Sequence, residues 1–277
     1  MYSGDGTVLI SHAGHEIGQG LNTKVAQAAA YALSKLNAKN PAGFVPLDVI
    51  KIADINTDVM PNISMTGGST TSEGCCASVM LCCEQLVERL KPVRDKLVAK
   101  AADPTTFEPS WKDIVAAAGD GISLSSQARL EKPSAFPGGA GATNAQAVPK
   151  VTKGYHNFGG AASEVEIDVL TGEMTILQTD LVYDCGKSLN PAIDLGQCEG
   201  GFMMGLGFYL REDCLIDAKT GELVSDGTWE YKPPCSLDVP LQFNVEFLQD
   251  RPVGPTQHQV HTASHCILIP IHTRHMY

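Results

Sequence analysis

The stretch from Tyr183 to Phe208, which reads YDCGKSLNPAIDLGQCEGGFMMGLGF, constrains the fold of this chain most strongly. An apolar strand that ends at Tyr183 runs into Asn190-Pro191, a pair that favours a turn and can open a helix, so Gln197 is predicted close to the helix start. Glycines recur in this helix at positions 200, 201, 205 and 207. Because each glycine costs about 0.5–1 kcal/mol relative to alanine, we predict that another element or a ligand approaches this backbone closely.

The composition excludes several classes of protein. The chain has 277 residues, of which 43% are hydrophobic, so it can bury a sizeable core in one large or two medium domains. A net charge of −11 argues against binding to nucleic acid or to an anionic membrane surface. No apolar run reaches the length of about 20 residues that a membrane span needs, and the first residues are unlike a secretory signal. We therefore expect a cytoplasmic protein.

The nine cysteines show no CxxC pair and no iron–sulfur spacing. This pattern predicts reduced thiols and no cluster bound by the chain itself.

The hydrophobic pattern predicts an α+β fold in which helices pack on mixed sheets. In the first hundred residues it predicts a strand over Thr7–Ser11, whose partner would lie upstream, and a second strand over Val49–Ala53. Two helices follow these strands. The first buries Val25, Ala29, Ala32, Leu33 and Leu36; the second starts at a Thr70–Glu73 capping box, ends at Pro92 and buries the stripe Cys76, Val79, Met80, Cys83, Leu86, Val87 and Leu90.

The second half predicts further elements and one long loop. A short helix is expected over Trp111–Ala118, a mobile Gly/Ala/Pro-rich loop over Phe136–Pro149, and a β-hairpin over Ser163–Leu177 with its turn at Thr171-Gly172. A turn at Thr220-Gly221 and a strand follow, with Phe243, Val245 and Phe247 alternating in that strand. We expect two strand–loop–helix subdomains, one of them joining residues 1–100 to 163–183.

Three segments place small or hydroxyl residues at predicted helix starts: residues 18–20, 66–71 and 190–197. Free backbone N–H groups and the helix dipole make each start a potential cradle for an anion or a polar heterocycle. Taken singly, each of them is better explained by ordinary capping. Three in one chain, together with the glycine-rich helix, favour a large shared ligand.

Other site patterns are incomplete. His15-Glu16 invites comparison with HExxH, but Gln19 stands where the second histidine is needed, and neither a P-loop nor GxGxxG is present. Five of the eight histidines lie in the last 20 residues, in a tail over 251–277 that we expect to be poorly ordered. A metal site in this tail is the weaker reading because second-shell carboxylates are missing there.

Read together, the segments GHEIGQGLNTK, PNISMTGGSTTSE, SEVEIDVLTG and DCGKSLNPAIDLGQCEGGF resemble the second molybdopterin-binding half of the xanthine dehydrogenase and aldehyde oxidase family, closest to plant-type aldehyde oxidases. The resemblance covers residues 1–250, which we take as one domain. It implies a molybdopterin cofactor without a protein ligand to molybdenum, an aldehyde or N-heterocycle as substrate, and a homodimer. Iron–sulfur clusters and FAD are implied only for a full-length member. By motif position the cofactor-binding residues would be Ile17, Gly18, Gln19, Thr66, Gly67, Gly68, Ser69, Thr70, Thr71 and Gln197.

The chain departs from the family in one respect that matters for chemistry. The family's Gly-Glu-Pro-Pro motif, whose glutamate is the general base, occurs nowhere in these residues. Glu164 and Glu199 lie in matching motifs but are interpreted as structural, so no catalytic residue is assigned. We expect a cofactor-binding chain that is inactive alone. The alternative is a non-catalytic interaction module that keeps the fold without cofactor.

Overall fold

A computed structural model describes residues 1–37, 39–60, 65–67, 69–119, 121–129, 158–186 and 188–248. The chain divides into two compact units, residues 1–154 and 155–277. The predicted subdomain that joins residues 1–100 to 163–183 is therefore wrong: the hairpin strands pair with each other and with a strand further along the chain. The predicted loop over Phe136–Pro149 and the 251–277 tail lie outside the described residues.

The first unit contains two short strands and three α-helices. Strand β1 (Val8–Ile10) pairs in parallel with β2 (Ile50–Ile52), and helix α1 (Leu21–Ser34) lies between them in sequence. The first strand thus pairs with a downstream strand, because a helical crossover allows parallel pairing, and the predicted upstream partner stays a prediction. The predicted apolar stripe of α1 is confirmed, since all five of its residues are buried.

Helix α2 (Thr71–Lys100) packs against α1 and is longer than predicted. Pro92 lies inside it and does not end it. Both Pro92 and Glu88, whose carbonyl loses its helical partner, are exposed, so water can satisfy that carbonyl. Five of the seven residues in the predicted stripe are buried, whereas Met80 and Val87 are half-buried. Burial raises the pKa of the Cys76 and Cys83 thiols to about 12. These two thiols are core residues rather than reactive groups.

Helix α3 (Trp111–Ala118) has the predicted bounds. Its N-terminus forms a capping box: Ser110 Oγ accepts from Asp113 N at 3.2 Å, and Asp113 Oδ2 accepts from Ser110 N at 3.3 Å. The buried Trp111 donates from Nε1 to the Gly6 carbonyl at 2.8 Å, which ties α3 to the chain just before β1.

The second unit is a mixed three-stranded sheet with one long helix. Strand β3 (Phe158–Ile167) pairs antiparallel with β4 (Met174–Asp184), and β4 pairs in parallel with β5 (Gln242–Phe247). The predicted hairpin, with Gly172 at φ 77°, and the predicted strand β5 are confirmed. The turn at Thr220-Gly221 is also confirmed, with Gly221 at φ 75°.

Helix α4 (Pro191–Leu210) is the glycine-rich helix. It buries Cys198, Phe202 and Leu206 against β4 and β5. The predicted close approach occurs at Gly207, where an added Cβ would meet Glu212 and the ring of Pro234. Gly200 and Gly205 have open space instead, so no described element approaches them, and the approach of a ligand there stays a prediction. The neighbour that the sequence could not identify at Gly207 is thus a downstream loop of the same unit.

Candidate functional site

Two loops of the first unit meet at the starts of α1 and α2. We call residues 13–20 the first loop and residues 65–71 the second loop. The backbone N–H of His15 donates to Thr66 Oγ1 at 2.8 Å, joining the two loops directly. A Cβ added to Gly14 would meet Leu21, Thr71 Cγ2 at 2.8 Å and Cys75 Sγ at 3.0 Å. Only glycine therefore fits where the loops cross, and two of the three predicted helix-start segments come together.

Glu16 organises the first loop. Its carboxylate accepts from the backbone N–H groups of Gly20 at 2.9 Å and Asn22 at 3.0 Å, and from Gly18 at 3.2 Å. The anion at the positive end of α1 is thus a side chain of the chain itself. The prediction of free N–H groups at this helix start is wrong for these residues. The sequence analysis did not identify Glu16 as a capping residue, although an acidic residue shortly before a helix is a recognisable signal for such a cap.

The predicted cofactor-binding residues of the first loop differ in what they present. Gln19 is only 7% exposed and folds back: its Oε1 accepts from Ile17 N at 2.7 Å and its Nε2 donates to the His15 carbonyl at 2.9 Å. Gly18 adopts φ 100° with open space where a Cβ would lie. The Ile17 side chain is 71% exposed. Gln19 therefore shapes the loop, whereas Ile17 and Gly18 form its outer surface.

A buried histidine supports the first loop from behind. Gly14 N donates to His12 Nδ1 at 3.3 Å, so the ring proton lies on Nε2, which donates to Asn22 Oδ1 at 2.9 Å. Burial lowers the pKa of His12, which favours the neutral ring. Neither His12 nor Asn22 was identified from the sequence, because a lone histidine carries no motif.

The second loop presents hydroxyl groups and an unusual backbone. Ser69 adopts φ 55°, in the left-handed region that non-glycine residues rarely occupy. Gly67 N donates to Thr71 Oγ1 at 3.3 Å, and the space next to the Gly67 Cα is open. Thr70 is the N-cap residue of α2, but its side chain accepts no capping hydrogen bond. Gly68 lies outside the described residues.

The predicted capping box of Thr70 and Glu73 is therefore wrong. Thr70 has helical rather than extended backbone angles, so its hydroxyl is not directed at the first turn. Burial instead raises the pKa of Glu73 from 4.5 to about 7. The neighbouring Ser72 is fully buried, and its Oγ has no hydrogen-bond partner among the described residues. The first turn of α2 thus combines an unpaired hydroxyl with a carboxyl that is largely neutral below pH 7.

Gln197 belongs to the second unit. It lies in the second turn of α4, which begins at Pro191, rather than at the helix start as predicted. The start itself is capped by Asn190, whose Oδ1 accepts from Ile193 N at 3.2 Å. The Gln197 side chain is half-buried on the helix surface, next to the buried Cys198.

Two features of the described residues bear on other functions. In the ranges given above, no group of three His, Cys, Asp or Glu side chains could hold a metal ion, and the histidine-rich tail falls outside those ranges. No helix in the described part of the chain is long and apolar enough to cross a membrane.

Comparison with known proteins gives one consistent picture. Residues 1–240 match the family model described as "Molybdopterin cofactor-binding domain". An indole-3-acetaldehyde oxidase of Arabidopsis thaliana is 44% identical over 245 residues, which is 88% of this chain and 16% of that protein. The abscisic-aldehyde oxidase of the same plant is 41% identical over 245 residues, covering 88% of this chain and 17% of that protein. The chain thus spans about a sixth of the length of these relatives.

Solved structures share the fold. The Cu,Mo-CO dehydrogenase superposes with a TM-score of 0.67 at 19% identity, covering 91% of this chain and 30% of that one. Quinoline 2-oxidoreductase from Pseudomonas putida 86 gives a TM-score of 0.65 at 23% identity, covering 90% and 30%. The aldehyde oxidoreductase from Desulfovibrio gigas gives 0.60 at 20% identity, covering 87% and 23%. The α+β architecture of mixed sheets with packed helices is confirmed.

Proposed function

This chain belongs to the molybdopterin cofactor-binding domain family, and on that premise we propose that its first and second loops hold part of the cofactor of an aldehyde oxidase-type oxidoreductase. The observation that carries the proposal is the hydrogen bond between His15 N and Thr66 Oγ1, which joins the two loops. Gln197 of the second unit is proposed as a further contact.

The residues of the two loops fit such a group. Open space beside Gly18 and Gly67 leaves room for a flat heterocycle against the backbone. The buried Ser72 hydroxyl, unpaired among the described residues, and the positive end of α2 offer a donor and a favourable field for pterin nitrogens, oxygens and a phosphate. When bound, the cofactor supplies the two-electron oxidation of the substrate carbon. Ile17, Gly18, Thr66, Gly67, Gly68, Ser69, Thr70 and Thr71 would line it, and Gln19 would hold the first loop in shape.

We propose an aldehyde rather than an N-heterocycle as the substrate, because the curated relatives at 41–44% identity are named for aldehydes. Turnover by this chain alone is not expected, since it carries no Gly-Glu-Pro-Pro motif. A cytoplasmic location is supported by the thiols, because no disulfide links the described cysteines and reduced thiols suit a reducing compartment. A homodimer is supported by the exposed edge strand β3.

The test is to express the chain in a host that makes the cofactor and to measure bound molybdenum and pterin. The variant Gly67→Val fills the open space in the second loop and should lower pterin content at least tenfold. Gly4→Val is the matched control, because Gly4 also has open space, lies in the same unit and is remote from both loops in sequence. Equal pterin in the two variants would refute the placement of the cofactor. A folded chain that never acquires pterin would instead favour a non-catalytic interaction module.

A further inference from the structure

His12 lies behind the crossing of the two loops and is only 5% exposed. Its ring is bonded on both sides: Nδ1 accepts from Gly14 N at 3.3 Å, and Nε2 donates to Asn22 Oδ1 at 2.9 Å. Gly14 is the residue at which no Cβ fits, because Thr71 and Cys75 of α2 lie against it. The ring therefore holds the backbone of the first loop at the point where the start of α2 touches it.

Asn22 links the same ring to the outer part of the first loop. Its backbone N–H donates to Glu16 Oε2 at 3.0 Å. The other carboxylate oxygen of Glu16 accepts from Gly20 N at 2.9 Å and from Gly18 N at 3.2 Å. Gly18 belongs to the surface against which the cofactor is proposed to lie. Hydrogen bonds through Asn22 and Glu16 thus join the buried ring to that surface.

This pattern of hydrogen bonds fits only a neutral ring. A protonated imidazole carries a hydrogen on both nitrogens, so Nδ1 of His12 could no longer accept from Gly14 N. Two N–H groups would then face each other in a buried place, and a buried donor without an acceptor is destabilising. Because both groups can bind water once the loop opens, protonation favours the open loop.

The charged groups around the ring do not reverse this preference. Burial has the largest effect on the pKa of His12 and lowers it below the ordinary value of 6.5. The hydrogen bond to Asn22 and the negative charge of Glu16 oppose this effect without cancelling it. Lys24 on α1 and Glu73 on α2 are not among the causes of the shift. The closed loop therefore binds a proton less readily than the open loop.

We propose that His12 is a positioning residue for the cofactor: its neutral ring holds the first loop in the binding conformation, and its protonation in mildly acidic solution opens the loop and releases the cofactor. The inference rests on the proposed function for the identity of what is released, whereas the opening concerns the loop itself. The closed loop is fully favoured above pH 6.5, the ordinary pKa of the ring, and becomes less favoured as the pH falls below it. The loss is up to about tenfold per pH unit until the lowered pKa is reached.

The test is hydrogen exchange of peptides from the first loop, measured on the cofactor-free 277-residue chain from about pH 7.5 to 5 and corrected for intrinsic exchange rates. Protection of the wild type should fall below pH 6.5 by up to about tenfold per pH unit. His12→Gln cannot take up a proton in this range and should show no such fall. His15→Gln is the control and should keep the wild-type profile, because it removes an exposed ring from the same loop.

Asn22→Asp distinguishes positioning by the neutral ring from a merely structural role, and it decides the question if His12→Gln does not fold. The new carboxylate accepts from the protonated ring and stabilises it, so the closed loop should no longer lose protection on acidification. A flat profile in the wild type would overturn the proposal. So would a wild-type fall that Asn22→Asp leaves unchanged.

A second measurement concerns the cofactor. From chain isolated with bound pterin, release should accelerate below pH 6.5 in the wild type and not in Asn22→Asp. Release with the same pH dependence in both proteins would overturn the link between the loop and the cofactor. A chain that never acquires pterin would refute the proposed function and the cofactor part of this inference, whereas the exchange profiles alone decide whether His12 controls the loop.

Discussion

Replacing Gly207 by alanine should destabilise the second unit, although alanine is the better helix former. An added Cβ at this position would meet Glu212, and it would lie 2.5 Å from Cδ and 2.6 Å from Cγ of Pro234. The proline ring is rigid, and the Glu212 side chain accepts a hydrogen bond from the Tyr231 hydroxyl, so neither neighbour can move freely. Overpacking of this kind costs about 1–3 kcal/mol.

Gly200→Ala is the matched control, because Gly200 lies in the same helix with open space at its Cβ position. Both variants gain the helix preference of alanine, about 0.5–1 kcal/mol, so their difference isolates the packing cost. We expect Gly200→Ala to be neutral or stabilising, and Gly207→Ala to be less stable than it by about 1–3 kcal/mol.

The assay is urea denaturation combined with native-state hydrogen exchange of peptides from α4, which reports on the second unit alone. If Gly207→Ala matched or exceeded the stability of Gly200→Ala, the contact with Pro234 would not be the reason for glycine at this position.

Two predictions concern the first unit. Ser110→Ala removes the cap of α3 and should lower the free energy of unfolding by about 0.5–2 kcal/mol in urea titrations, whereas Ser110→Asn, which can also cap, should retain most of it; equal losses in both variants would contradict the capping role. Glu73 has its folded-state pKa raised by burial from 4.5 to about 7, so its stabilising contribution is fully present below pH 4.5 and is lost as the pH rises through 7. The stability of the wild type relative to Glu73→Gln should therefore fall between pH 4.5 and 7, and a flat difference across this range would show that the carboxyl is not desolvated.

Local signals in the sequence were sufficient for much of the fold. The alternation of Val165 and Ile167 with a Thr171-Gly172 turn is short-range information, because a strand has period two and the turn needs positive φ at glycine. The buried stripes of α1 and α2, and the full extent of α3, follow from helical spacing in the same way. Proline was a less reliable guide: Pro92 is tolerated within α2 because its face of the helix is exposed to water.

The site was only partly accessible to such reasoning. The motifs located the two loops, and the cofactor contacts assigned by motif position to Gly18 and Gly67 stay predictions. What a loop amide binds depends on which side chain reaches it in three dimensions, and at α1 that side chain is Glu16. The Gln19 side chain likewise forms hydrogen bonds with the backbone of its own loop. Its χ angles direct it there, and the residue type alone does not specify those angles.

The stretch from Tyr183 to Phe208 shows the same difference between what local sequence signals predict and what only the folded chain reveals. By itself, the sequence determined a strand, a turn at Asn190-Pro191 and a glycine-rich helix, since these depend on local backbone preferences. Only the tertiary structure decided which glycine has a close neighbour, because Pro234 reaches Gly207 from a loop 27 positions away and no local preference encodes that distance. It also placed Gln197 in the second turn of α4 rather than at the helix start. Side-chain contacts between distant segments are set by packing of the whole unit, which is why they could be read only from the folded chain.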